Sequence, residues 1–207
     1  AYYAVLAEKG FFSLDEVLAS IGTAGTPFIG HPNNKLPGIE MNSGSLGHGL
    51  PVCVGMALGQ RMLKRPSRVY TVLGDGELAE GSVWEAAMAA GHYHLENLCA
   101  VVDRNGLQIS GPTETVMAQD PLPERWAAFG WNAISTPGND PDALQAAFTQ
   151  ARETKGRPTV IIARTTKGCG VSFMENRDEW HHRMPTAQEY EQAMAELTQA
   201  RRRALDE

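Results

Sequence analysis

The stretch RVYTVLGDGELAEG, Arg68 to Gly81, passes from an apolar, β-branched run into a single aspartate set between two glycines. Its first part, VYTVL (69–73), is short enough for a strand and continuous enough to be buried on both faces, as central strands of a parallel sheet are. LCAVV (98–102) and TVIIA (159–163) read the same way. Between the first two runs lies GSVWEAAMAAGHYH, where Val83, Trp84, Ala87, Met88 and Gly91 recur at helical spacing. Strand, helix and strand in that order make one crossover unit. Further helices are predicted over 46–65, over 140–156 between Asp140 and Gly156, and from Thr186 onward, where Glu189 completes a capping-box pattern. AYYAVLAEKG reads as a helix entered without a cap, so native sequence is expected to precede Ala1. The alternation predicts an α/β fold. It is a doubly wound, mostly parallel sheet with helices on both faces, residues 1–207 forming one domain and the ligand lying at the carboxyl ends of the strands.

The 207 residues carry 43% hydrophobic and 20% charged side chains and a net charge of −6, which suits a globular chain and offers no basic surface for nucleic acid. No run of about eighteen apolar residues is present, so no membrane span is expected. Cys53, Cys99 and Cys169 stand far apart and in no metal-ligand spacing. That argues for a reducing compartment and a cytoplasmic location.

Two long irregular segments, 22–47 and 103–124, are candidates for functional loops. Asp75 follows the first strand directly, and Asp103-Arg104-Asn105 follows the second. A right-handed crossover brings both to the same sheet edge. One carboxylate, one carboxamide oxygen and a main-chain carbonyl in the following Asn-Gly-Leu make a partial set of hard oxygen ligands. Such a set suits Mg²⁺, with Ca²⁺ able to substitute, once phosphate oxygens and water complete about six positions. Gly74 and Gly76 would let the backbone turn and approach phosphates without a Cβ in the way. The plainer alternative makes Gly-Asp-Gly a strand-ending turn and Asn105 a loop cap.

GDGELAEG with DRNGLQISG resembles the thiamine diphosphate motif, and two further segments resemble the transketolase family. They are GHPNNKLPGIEMNSGSLGHGL (30–50) and TTKGCGVSFMENRDEWHHRMP (165–185). The resemblance covers most of residues 1–190 and corresponds to the family's diphosphate-binding domain alone. It implies a metal held by Asp75, Asn105 and the carbonyl of Leu107, with Gly76 at the diphosphate. It further implies that Leu46 and Ile109 pack on the cofactor rings beside the Gly44 backbone. Lys167 and His181 would face diphosphate or substrate, His31 the donor sugar, and Glu80 a subunit interface.

The resemblance implies that two further family histidines belong before Ala1, and the pyrimidine-binding domain is expected on a separate chain. The implied protein is therefore the N-terminal subunit of a split transketolase. It would need thiamine diphosphate, Mg²⁺ and a C-terminal partner subunit, forming a heterotetramer, to move a two-carbon ketol unit from a ketose or ketose phosphate to an aldose. An apolar patch including residues 80–84 is expected to meet that partner. The alternatives are the α subunit of a 2-oxo acid dehydrogenase and a non-catalytic binding module that kept the fold.

Overall fold

The computed structural model describes Tyr2 to Asp206 and divides into two compact units, one ending at His48 and the other starting at Gly49. In the first unit, α1 (Tyr2–Glu8) and α2 (Leu14–Ser20) are followed by irregular chain. Isolated apolar residues pin that chain: Phe28, Leu36 and Ile39 are buried with Tyr3, Leu6 and Val17. Tyr3 and Phe12 meet the Phe28 ring edge-on, at centroid distances of 5.5 and 5.1 Å. The Tyr3 hydroxyl donates to the Ile29 carbonyl at 2.6 Å. The loop is thus ordered by three plugs and one anchored hydroxyl rather than by a ladder.

The second unit is built on a four-stranded parallel sheet: β1 (Val69–Gly74), β2 (Leu98–Arg104), β5 (Asn132–Pro137) and β6 (Thr159–Arg164), in the order β1-β2-β6-β5. The two short strands β3 (Leu107–Gln108) and β4 (Gly111–Pro112) form a separate hairpin, and the single helical turn α5 (Thr113–Val116) follows it. Successive side chains of a strand point to opposite faces, and both faces of the sheet are covered. Leu73, Leu98, Ala100, Val102, Val160 and Ile162 join one core with α3 (Gly49–Met62), α4 (Gly81–His92) and α6 (Leu122–Ala128). Cys99 and Ile161 join another with Ala147 and Ala151 of α7 (Pro141–Glu153). This is the doubly wound arrangement expected from the sequence.

The expected strand starting at Val69 is present but not central. It lies at the sheet edge, with Tyr70 46% and Val72 72% exposed, while only β2 and β6 have neighbours on both sides. At the opposite edge β5 escapes the apolar-run reading, because Asn132, Ser135 and Thr136 interrupt it.

Helix α4 lies flush on the turn after α6: a Cβ at Gly91 would stand 1.8 Å from the Phe129 carbonyl oxygen. The buried Trp131 donates its indole N–H to the Ala87 carbonyl at 2.8 Å, locking the same contact. Val83 and Trp84 turn inward, Trp84 stacking near Trp126 and Phe129. Residues 80–84 therefore do not form the exposed apolar patch expected of them. The predicted caps are in place. Asp140 accepts from the N–H groups of Asp142 and Ala143, and Thr186 and Glu189 exchange bonds at the start of α8 (Ala187–Asp206). Among the described residues no helix is long and apolar enough to cross a membrane.

Candidate functional site

Parallel pairing of β1 with β2 sets Gly74 opposite Asp103, so Asp75 and Asn105 leave the sheet at one edge, as the crossover spacing requires. Asp75 is 1% exposed, and a carboxylate so placed needs donors in place of water. Its Oδ1 accepts from the Gly76 N–H at 2.8 Å. Its Oδ2 accepts from the Gly106 N–H at 2.6 Å and from Arg104 Nη1 at 3.2 Å. Asn105 makes a local turn in which Oδ1 accepts from the Leu107 N–H at 3.0 Å, and Nδ2 donates to Asp103 at 3.3 Å. Asp103 in turn accepts from the Thr165 hydroxyl.

In the hairpin, the Thr113 N–H donates to the Gly106 carbonyl, and Leu107 pairs with Pro112, which has no N–H to give. That Thr113-to-Gly106 bond makes Leu107 and Pro112 a non-hydrogen-bonded pair, so the Leu107 carbonyl points away from its partner strand. Ile109, at the hairpin tip, is 64% exposed.

The glycines divide by role. A Cβ on Gly76 would stand 2.8 Å from Gln108 Cβ, so close packing of the hairpin demands glycine there. Gly74 has open space above it and an ordinary φ, so nothing in the fold itself requires glycine.

The loop after β6 carries Lys167 and folds tightly: Gly168 has φ +74°, and a Cβ there would meet the Met174 carbonyl oxygen at 2.6 Å. A 3₁₀ turn (Asp178–His181) packs against β3, and its Asp178 lies 3.9 Å from where a Cβ on Gly111 would stand. Trp180 holds this turn by donating to the Phe173 carbonyl at 3.1 Å, with the Arg183 guanidinium over its ring at 4.4 Å. The His181 imidazole titrates below its ordinary value, first because burial disfavours the cation and then because Lys167 and His182 add like charge. Glu80 occupies the N-cap position of α4, yet its side chain makes no capping bond and is exposed.

In the first unit, His31 and Gly44 lie side by side. Gly44 has φ +133°, and a Cβ there would stand 2.9 Å from His31 Cδ2. Leu46 is 57% exposed. Asp75, Asn105, Leu107, Gly76, Ile109, Lys167, His181 and Glu80 all belong to the second unit. Arg104 and Gln119, which the motif does not single out, bond Asp75, and Glu114 bonds both of them; a lone carboxylate at the carboxyl end of a strand, next in space to an Asp-Arg-Asn, is the signal for the arginine.

A parallel sheet with a buried acid and a part-buried amide at its carboxyl edge defines an α/β protein whose polar groups gather where such sheets take their ligands. The family it belongs to follows from comparison: residues 1–201 match the transketolase thiamine diphosphate-binding domain, and the chain is a member of that family. The match runs across both compact units. One of the subunits of the apulose-4-phosphate transketolase of Phocaeicola vulgatus is 46% identical over 199 residues, 96% of this chain and 70% of that protein. The 6-deoxy-6-sulfo-D-fructose transketolase subunit SqwG of a Clostridium species is 41% identical over 95% of this chain and 72% of that one. Among solved structures, the transketolase of Leishmania mexicana superposes with a TM-score of 0.81 at 31% identity, over 87% of this chain. The chain spans 28% of that structure's length.

The residues present fit the cofactor that the family binds. Asp75, Asn105 and Leu107 offer oxygen donors only, the choice of a hard cation. Asp75 Oδ1 has a single donor and so keeps a lone pair. A Cβ at Gly74 would meet nothing within 4 Å, and the Gly74 N–H donates to Glu77 Oε2 at 3.2 Å.

Proposed function

We propose that this chain is the diphosphate-binding subunit of a split, thiamine diphosphate- and Mg²⁺-dependent transketolase. The observation that carries this reading is the buried Asp75 at the carboxyl end of β1, whose carboxylate accepts the Gly106 N–H of the segment that carries Asn105 and Leu107. Thiamine diphosphate, when bound, supplies the electron sink that lets a bond next to a carbonyl break and form again. The work of this chain is to bind and orient. Asp75, Asn105 and Leu107 hold Mg²⁺ (or Ca²⁺), and Gly76 offers its backbone to the diphosphate. Ile109 and Leu46, both exposed, cover the cofactor rings, with Gly44 beside them.

His181, whose imidazole is held below its ordinary titration range by burial and by the like charge of Lys167 and His182, accepts or returns a proton at a ring nitrogen. Lys167 contributes positive charge toward the anionic groups, and His31 binds the sugar. Glu80, exposed and uncommitted to its own helix, meets a C-terminal partner subunit that carries the pyrimidine-binding domain. The chain as a whole serves as one cofactor-binding domain of a heterotetramer acting in the cytoplasm on carbohydrate. The relatives' names, which specify apulose 4-phosphate and 6-deoxy-6-sulfo-fructose, support a ketose with a terminal anionic group as donor.

The test is calorimetric titration of thiamine diphosphate with Mg²⁺ into the chain mixed with its co-purifying partner. Metal-dependent binding is expected, weakened more than about 100-fold by Asp75→Ala, beyond what loss of an outer-shell group does. Binding that ignores both metal and substitution would overturn the reading.

A further inference from the structure

The carboxylate of Asp75 is held by a closed ring of side chains. Arg104, whose side chain is 12% exposed, reaches Asp75 Oδ2 with Nη1 and gives the same nitrogen to the Thr113 hydroxyl at 2.6 Å. Its Nη2 serves Glu114 at 2.7 Å and Asp120 at 3.3 Å. Glu114 accepts the Gln119 N–H at 3.0 Å, and the Gln119 side chain donates back to the Asp75 main-chain carbonyl at 2.5 Å. Gln119 is 2% exposed, so this last bond is made where water cannot replace it. The ring joins the end of β1 to the whole 105–120 segment.

We infer that Arg104 is a positioning residue for the metal site. It engages Oδ2 and leaves Oδ1 as the oxygen offered to the cation, and it ties down the segment that carries Asn105 and the Leu107 carbonyl. The inference rests on the proposed function, and it makes a claim that charge alone contradicts. A guanidinium beside a cation site repels the cation. Asp75, Glu114 and Asp120 around Arg104 leave two net negative charges, and removing the arginine would leave three. If charge dominates, losing Arg104 tightens the metal. If position dominates, losing it loosens the metal, since groups that orient ligands are commonly worth about 10- to 100-fold in affinity.

The experiment is titration of Mn²⁺, followed by its electron paramagnetic resonance signal, into the complex of this chain with thiamine diphosphate and the C-terminal partner. The variants are Arg104→Met, Arg104→Lys, Glu114→Gln and Asp75→Ala. Arg104→Met and Arg104→Lys should both weaken Mn²⁺ by about 10- to 100-fold, because lysine keeps the charge but lacks the planar fork that spans several acceptors. Glu114→Gln changes a partly exposed group and is expected to fold. It should weaken Mn²⁺ by about 3- to 10-fold, below the outer-shell range, because it loosens one anchor of the fork. Wild-type or tighter Mn²⁺ binding in Arg104→Met, or in Glu114→Gln where the first variant does not fold, would overturn the inference. Full affinity in Arg104→Lys would do the same, by showing that a point charge suffices. Unchanged Mn²⁺ binding in Asp75→Ala is a separate result, and it would sink the metal site itself.

Discussion

The two ends of the parallel sheet carry charge in opposite styles. At the carboxyl end, Asp75, Arg104, Glu114 and Asp120 are interlocked around a carboxylate that solvent does not reach. At the amino end, Arg61, Arg65, Arg68 and Lys155 line a recess of about 270 Å³, and none of them forms an ion pair with a carboxylate among the described residues. Arg61 and Arg68 donate instead to the carbonyls of Tyr93 and Ala151. Desolvation accounts for the difference. A buried anion costs several kcal/mol unless protein donors surround it, whereas exposed cations such as Arg61 and Arg65 are solvated without a carboxylate partner. Partners accumulate around the group that water does not reach, and there stability depends on each of them.

The largest effect expected at the protein level follows directly. Arg104→Met leaves the Asp75 carboxylate buried without its cation and should lower the unfolding free energy by about 3 kcal/mol, read by urea denaturation. A loss under about 0.5 kcal/mol would mean that the main-chain donors of Gly76 and Gly106 suffice.

An intermediate effect concerns His181, beside the hairpin. Its NMR titration midpoint should lie below the ordinary 6.5, and Lys167→Met should raise it part of the way back, burial being the larger cause. The sign for stability follows. With the folded value depressed, the contribution of His181 is fully present above the ordinary histidine range and is lost as pH falls through the depressed one.

The smallest effect belongs to the amino end. Arg65→Gln should change stability by no more than about 0.5 kcal/mol, because an exposed cation with no carboxylate partner leaves nothing unsatisfied when it goes. A larger loss there would erase the contrast between the two ends.

Much of this architecture is legible in the residues, and the exceptions have physical causes. The strands at 98–102 and 159–163 announce themselves because both faces are buried. So do the caps at Asp140 and Thr186, whose side chains bond locally. Edge position is not legible in VYTVL, since Tyr70 and Val72 are apolar whether or not another element covers them. β5 hides because a strand at a sheet edge tolerates Asn132 and Ser135. That Asp75 and Asn105 leave the sheet at one edge is readable from spacing, since a crossover takes a near-constant length of chain. The places of Glu114 and Gln119 are not, because their part in the ring comes from the path of a hairpin and a turn, and no periodicity records that path. Residues 80–84 mislead for a related reason: valine and tryptophan just after a motif look available, but helical phase sends both inward.

The contact of α4 with Phe129 has a consequence for how this protein can vary. Only the hydrogen of a glycine fits between the helix and that carbonyl, and the obstacle is main chain, which cannot rotate aside. On the same helix, Met88 faces outward and is 57% exposed. In a library saturating α4, drift should run freely at 88 and stop at 91, a position set by main-chain packing.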